Sequence, residues 1–125
     1  MNRLESCSLK ASLITPQQLT VTVNEAGVDV SELQDMVKLV LAAQSVSGAG
    51  RTMDIEITDS LTLGGAYASL TPAVTFAQVG VADSEQEIDL YIDQARPFIR
   101  AEIVIAGTSP IFETSLQMIG RTGQE

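Results

Sequence analysis

The sequence predicts an all-β fold, an antiparallel β-sandwich or jelly-roll-like domain of about seven to eight strands with an extended N-terminal arm. Apolar and polar residues alternate with a period of two in the clearest segments, residues 52–60 and 85–93. Turn residues separate such segments at short, regular intervals. The 125 residues are also the length of one domain, which can bury about two thirds of the surface that its unfolded chain exposes.

The beginning and the end of the chain lack this alternation. The first 18 residues are polar with scattered apolar residues and no sustained period, and Pro16 lies near their end. We therefore predict three parts, which are an N-terminal arm at 1–18, the sandwich domain at 19–120 and a polar C-terminal tail at 121–125. The single cysteine, Cys7, cannot form a disulfide within the chain, so the fold has to be stabilised by its hydrophobic core.

The first half of the domain contains one ambiguous segment, residues 31–44. Ser31 with Gln34 resembles a helix capping box, and apolar residues recur there at helical spacing. The same residues also alternate around Lys38, and we favour a strand at 36–44. On either side of it, alternation predicts a short strand at 19–24, a turn at 25–27, a hairpin turn at 45–50 and a half-buried strand at 52–60.

The second half begins with an exposed loop at 61–72, which contains two glycines and a short extended piece near 67–70. A short strand follows at 74–76 and a turn at 81–84. The last elements are predicted to form an antiparallel meander of strands at 85–93, 98–106 and 111–119. Pro97 lacks an N–H and suits the start of a strand, while Gly107 and Pro110 predict a four-residue hairpin turn at 107–110.

Composition argues against several classes of function. Seven basic and sixteen acidic residues give a net charge of −9, which opposes binding to nucleic acid and to anionic membranes. No run of about 18 consecutive apolar residues is present, and residues 1–15 lack the apolar centre of a secretory signal, so we expect a soluble protein made in a cytoplasm. Histidine and tryptophan are absent. We therefore expect neither an enzyme nor a bound cofactor.

The densest group of chemically capable side chains is acidic. It consists of Asp83, Glu85, Glu87, Asp89 and Asp93. A calcium site is one interpretation, but the strand spacing places alternate carboxylates about 6.6 Å apart, whereas calcium requires six to eight converging oxygens. We predict a solvated face that protects an edge strand, and no metal site.

Two further motifs have simpler explanations than chemistry. Asp54 and Glu56 could form an acid/base pair, but both are predicted on the outer surface of a strand without a pocket. Residues 45–50 are small and glycine-bearing like a phosphate-binding loop, yet the lysine and hydroxyl residue of that motif do not follow. We predict surface charge and a hairpin turn, respectively.

Several segments together resemble β-sandwich capsid decoration, or cement, proteins of tailed bacteriophages. They are Gly-Val-Asp-Val-Ser at 27–31, Val-Lys-Leu-Val-Leu at 37–41, Met-Asp-Ile-Glu-Ile-Thr-Asp-Ser at 53–60, Thr-Phe-Ala-Gln-Val at 75–79 and Pro-Phe-Ile-Arg-Ala-Glu-Ile-Val-Ile-Ala-Gly-Thr-Ser-Pro at 97–110. The resemblance implies a non-enzymatic virion protein on the outer capsid surface. It also implies the major capsid protein as a partner and a small homo-oligomer, for which we favour a trimer.

The candidate contact residues are spread along the chain. Arg3 and Lys10 in the arm can meet an acidic capsid surface, Tyr67 lies in the 61–72 loop, and Arg96 and Phe98 flank the predicted corner. The corner also has a structural interpretation, in which Phe98 covers the core and Arg96 neutralises Asp93.

Two other functions are alternatives to decoration. One is a host- or glycan-binding module of a tail or fibre, carried by the 61–72 loop and the other loops. The other is a hydrolase, which the missing histidine disfavours.

Overall fold

The computed structural model describes residues 9–122, and seven strands in this range form one antiparallel sheet. The all-β prediction is confirmed, and the described residues contain no α-helix, only a 3₁₀ turn at Ile92–Gln94. The strands are β1 (Leu9–Leu19), β2 (Val23–Asn24), β3 (Val28–Asp29), β4 (Leu33–Ser60), β5 (Ala68–Thr75), β6 (Ser84–Tyr91) and β7 (Phe98–Thr122).

Two long strands organise the fold. β4 has 28 residues and β7 has 25, and they pair antiparallel along nearly their whole length. Residues 33–45 of β4 lie between β6 and residues 112–122 of β7, which in turn pair with β1. Residues 52–60 of β4 lie between β5 and residues 98–106 of β7, which in turn pair with β2 and β3.

The hairpin turns predicted at 45–50 and 107–110 are wrong. Both segments are kinks inside a continuous strand, because Ser45 remains opposite Phe112 and, beyond the kink, Thr52 remains opposite Ala106. Gly48 and Gly107 adopt φ of +118° and +120°, which only glycine tolerates well, and each bends its strand instead of reversing it. We call this paired kink, residues 45–51 and 106–111, the bend.

At the bend the sheet folds over into two layers. Met53 lies opposite Ile105 and Thr114 lies opposite Ala43, so Met53 and Thr114 would be about 30 Å apart along a flat ladder. The Thr114 hydroxyl nevertheless lies 3.7 Å from the Met53 sulfur. Layer 1 therefore contains β1, β6 and residues 33–45 and 112–122, and layer 2 contains β2, β3, β5 and residues 52–60 and 98–106. The result is a β-sandwich with two strands shared by both layers.

The space between the layers is filled by alternate residues of both. The inward rows of the long strands are fully or almost fully buried, and they comprise Val37, Leu39, Leu41, Met53, Ile55, Ile57, Ile99, Ala101, Ile103, Phe112, Leu116 and Met118. This period of two places the ambiguous residues 33–44 in a strand, as favoured from the sequence. Burial of this row accounts for most of the driving force for folding.

Four further sequence predictions change. β6 pairs with β4 and not with β7, so the predicted meander does not form. Residues 9–18, which the sequence assigned to the arm, belong to β1 and pair with β7, whereas residues 1–8 lie outside the described residues. The predicted strand at 19–24 is reduced to Val23–Asn24, because Leu19 completes β1. β5 begins inside the predicted 61–72 loop and runs through Pro72, which suits an edge strand.

Candidate interaction surfaces

The residues singled out from the sequence fall mainly at one end of the sandwich. We call this the distal end, since it lies opposite the bend and holds both ends of β4 and of β7. Phe98 is half-buried, and it is the first residue of β7, where it lies opposite Ser60. Tyr67 lies immediately before Ala68, the first residue of β5, which pairs with Asp59. Lys10 lies in β1 opposite Ile119 on layer 1. Arg3 lies outside the described residues.

Arg96 is bound by its own chain. Its guanidinium donates to the Asp59 carboxylate at 2.9 and 3.0 Å and to the Asp59 carbonyl oxygen at 2.9 Å, and its backbone N–H donates to the same carboxylate at 2.9 Å. The Asp59 side chain is only 7 % exposed. The proposed neutralisation of Asp93 is therefore incorrect, because the partner is a buried acid 37 residues away in sequence. The pair joins the end of β4 to the segment that leads into β7.

Tyr67 is likewise held by intramolecular contacts. Its hydroxyl donates to the Leu63 carbonyl oxygen at 2.8 Å and packs against Gly27. The Arg100 guanidinium lies over the ring at 4.2 Å from its centroid, and the same group donates to Glu102 at 2.8 and 3.1 Å. One face of the ring is thus already covered by a cation–π contact, and Tyr67 helps to close the outer side of layer 2.

The acidic run follows the free edge of layer 1. Glu87 and Asp89 point outward from β6 and share one cation, Lys38, at 3.3 and 3.4 Å. The hydrogen bond that Lys38 donates to Glu87, followed by the one that it donates to Asp89, raises the pKa of Lys38 above its ordinary value. The carboxylates remain more than half exposed, and the described residues contain no group of three or more acids, cysteines or histidines that converges on a metal position. The outward row is a solvated acidic face.

The other candidate acids lie outside any cleft. Asp54 accepts hydrogen bonds from Gln78 at 3.1 and 3.3 Å, and Glu56 accepts one from the Ser69 hydroxyl at 2.5 Å. Both lie on the outer face of layer 2. The glycine-bearing segment at 45–50 forms half of the bend, where Arg51 donates to Ser45 and to two backbone carbonyls. These contacts give Asp54, Glu56 and the segment at 45–50 structural roles.

A feature that the sequence did not indicate is a groove on the side of the sandwich where β5 and β6 face each other. It has a volume of about 220 Å³. Its lining is mainly apolar and comprises Leu70, Pro72, Ala73, Val74, Thr75, Ile88, Asp89, Leu90 and Tyr91. The two rows come from strands that pair with different parts of β4, so no local pattern brings them together.

The fold is similar to that of known phage and virus proteins. The SPBc2 prophage-derived protein YomS matches with a TM-score of 0.51 and 15% identity, over 90% of this chain and 93% of that chain. A chain in the structure of infectious bursal disease virus, Gx strain, matches with a TM-score of 0.59 and 16% identity, over 94% of this chain but only 33% of that chain. No protein-family model and no curated protein sequence matches the chain. No described helix is long and apolar enough to span a membrane.

Proposed function

We propose that this protein is a capsid decoration protein, a non-enzymatic virion component that binds the outer surface of an assembled phage head. The observation that carries the proposal is the likeness to a prophage-derived protein over nearly the full length of both chains. Identity of 15% establishes a common fold and no more, so the role itself is our inference. The sequence resemblance to decoration proteins points in the same direction.

The physical character of the domain supports this role. The two layers share their long strands, and grooves on the described surface are open to solvent. Such a surface suits many modest contacts that are repeated around a particle, where effective concentration raises the total affinity. Ligands that bind only the folded shell stabilise it by mass action. We therefore propose the major capsid protein and further copies of this chain as its partners.

The glycan-binding alternative is less well supported. It rests mainly on the 61–72 loop, in which Tyr67 is the aromatic side chain, and one face of that ring is occupied by Arg100. Sugar recognition commonly needs an open aromatic face, and Arg100 takes one of the two that this ring has. Leu61 and Leu63 are exposed, but aliphatic side chains provide little specificity for a glycan.

The test uses purified protein and shells of the parent phage that lack it. Expanded shells should bind the protein to saturation in a sedimentation assay, at a fixed ratio to shell protein, and the decorated shells should survive heating that opens bare ones. Unexpanded shells provide the control for non-specific adsorption. Failure of saturating protein to bind expanded shells would overturn the proposal, and so would its absence from intact particles. A glycan screen with the same protein should be negative.

A further inference from the structure

The side of the sandwich between β5 and β6 is open, and the groove described above runs along it. β6 forms ladder pairs with β4 only, so its other edge has no strand beside it in the described structure. The inward row of this edge is apolar: Leu90 is buried and Ile88 half-buried. Across the groove, Leu70 and Val74 of β5 supply the facing wall. An added strand would therefore meet both a free backbone edge and an apolar slot.

The open stretch is limited at one end. The Gln86 side-chain amide donates to the Ala77 carbonyl oxygen at 2.9 Å and accepts from the Ala77 N–H at 2.8 Å. This bidentate contact holds Ala77 beside Gln86, so this part of the β6 edge is already covered. Beyond Gln86, the edge from Ile88 to Tyr91 has no such cover among the described residues, and Tyr91 is 56 % exposed at the groove's far end. The available edge, from Ile88 to Tyr91, can pair with about four residues of a partner strand, since paired strands have the same rise of about 3.3 Å per residue.

The charge beside this edge selects the partner. Glu87 and Asp89 lie on the outward row, next to the position that an added strand would take, and Lys38 is the single described cation near them. A second copy pairing antiparallel through β6 would set these carboxylates against each other, which destabilises a strand pair. The described basic side chains of the chain are also already engaged with their own acceptors; they are Lys38, Arg51, Arg96 and Arg100. Among the described side chains, therefore, none offers a spare cation, and this favours a different protein as the source of the complementary charge.

We propose that the β6 edge binds an extended segment of a partner protein in which lysine or arginine alternates with aliphatic residues. Alternate side chains of a strand point to opposite faces, so the aliphatic ones enter the groove against Ile88 and Leu70 while the basic ones lie beside Glu87 and Asp89. Main-chain hydrogen bonds to the free edge add affinity without regard to sequence. The identity of this partner as shell protein rests on the proposed function, whereas the chemistry of the segment does not.

The first test uses peptides and no shell. The probe is the blocked peptide Lys-Val-Lys-Val-Lys-Val-Lys, titrated into ¹⁵N-labelled protein, with Glu-Val-Glu-Val-Glu-Val-Glu as its charge-reversed counterpart. The lysine peptide should shift the amide signals of 70–75 and 88–91 and slow hydrogen exchange at 88–91, whereas the glutamate peptide should do neither. Slowed exchange separates strand pairing from loose electrostatic attraction. Equal effects of both peptides, or shifts confined to other surfaces, would overturn the proposal.

Two variants test the groove and the charge separately. Ala73→Trp fills the groove from the exposed side of β5 and leaves β6 and the net charge unchanged, and it should abolish binding. The double variant Glu87→Gln/Asp89→Asn should weaken binding about three- to tenfold, the size expected for two exposed ion pairs. Its matched control, Asp54→Asn/Glu113→Gln, removes the same charge from exposed positions elsewhere and should bind like the original protein. Undiminished binding by Ala73→Trp would exclude the groove as the site.

The same variants on expanded shells separate the two proposals. If the original protein binds shells and Ala73→Trp does not, both proposals are supported. If both bind equally, decoration stands and the β6 edge is not the shell-facing surface. Slowed exchange at 88–91 that grows with protein concentration, without any peptide, would identify a second copy as the occupant and overturn the inference.

Discussion

Replacing Gly107 by alanine tests the bend, which distinguishes this fold from a chain of hairpins. Two effects should add. A residue with a Cβ at φ of +120° is strained by about 1–2 kcal/mol. The new Cβ would also lie 2.7 Å from the Arg51 Cα, which is backbone and cannot rotate away, and such overpacking costs about 1–3 kcal/mol. We expect Gly107→Ala to lower the free energy of unfolding by about 2–5 kcal/mol.

Other glycines of the chain provide the matched series. Gly48 has the same relation to Pro110, whose Cα would lie 2.7 Å from an added Cβ, so Gly48→Ala should resemble Gly107→Ala. Gly50 also has a positive φ of +63°, but an added Cβ would meet nothing within 4 Å, which leaves only a conformational cost of about 1 kcal/mol. Gly80 has open space and no positive φ, and Gly80→Ala should stay within about 0.5 kcal/mol.

Urea unfolding followed by far-ultraviolet circular dichroism measures the series. With a denaturant slope of about 2 kcal/mol per molar urea, Gly107→Ala should lower the midpoint by about 1–2.5 M and Gly50→Ala by about 0.5 M. If residues 107–110 were the tip of a hairpin, no second backbone would lie against Gly107. The two variants would then behave alike, and equal midpoints for Gly107→Ala and Gly50→Ala would refute the continuous strands described above.

Three further substitutions test the polar contacts. Asp59→Ala leaves the backbone N–H and the guanidinium of Arg96 without their acceptor, so it should destabilise the domain by about 2 kcal/mol. Lys38→Ala removes an exposed ion pair and should cost much less stability in the same urea assay. Similar losses for both variants would contradict the importance of burial. The Ser31 N–H donates to Asp29 at 2.9 Å, and this hydrogen bond holds the pKa of that carboxyl below its ordinary value of 3.8. The contact therefore stabilises the fold above that pH, and this stabilisation is lost as the pH falls through the lower, folded-state pKa. The difference in unfolding free energy between the original protein and Asp29→Ala should therefore shrink as the pH falls from above 3.8 through the lower, folded-state pKa, and a constant difference would show that the carboxylate is not responsible.

The sequence predicted several of the strands, and in the clearest of them the side that faces the core. Met53, Ile55 and Ile57 were expected inward, and all three are buried between the layers. The same holds for Ile99 and Ile103. A period of two follows directly from the backbone of a strand, so it can be read without knowing the partner strand.

Pairing between strands could not be read in this way. Gly107 with positive φ is compatible with a hairpin tip and with a kink in a continuous strand, and the local residues are the same in both cases. The two possibilities are distinguished by the partner strand, β4, which kinks at the same level at Gly48, so that the ladder of hydrogen bonds continues past both kinks. This information is divided between segments about 60 residues apart. The meander was predicted wrongly for the same reason, since adjacency in sequence was taken for adjacency in the sheet.

The candidate surface was predictable in part. The exposed acidic row of β6 followed from alternation, and the structure describes it as an exposed face. The partners of Arg96 and Tyr67 were not predictable, because Asp59 and Arg100 lie in other strands and approach only after the layers form. The groove had no signal at all, since neither Leu70 nor Ile88 is unusual in its own strand.

The acidity of β6 has two consequences that together explain why an open edge need not lead to uncontrolled association. An uncovered strand with an apolar slot behind it is ordinarily a site of uncontrolled association, and charges along the edge are one of the ways in which proteins prevent this. Here Glu87 and Asp89 penalise pairing with a second copy, because each would face a carboxylate of the same row. The same carboxylates favour a segment that carries the opposite charge. One row of residues can therefore exclude the wrong partner and recognise the right one, and specificity arises from the difference between these two free energies.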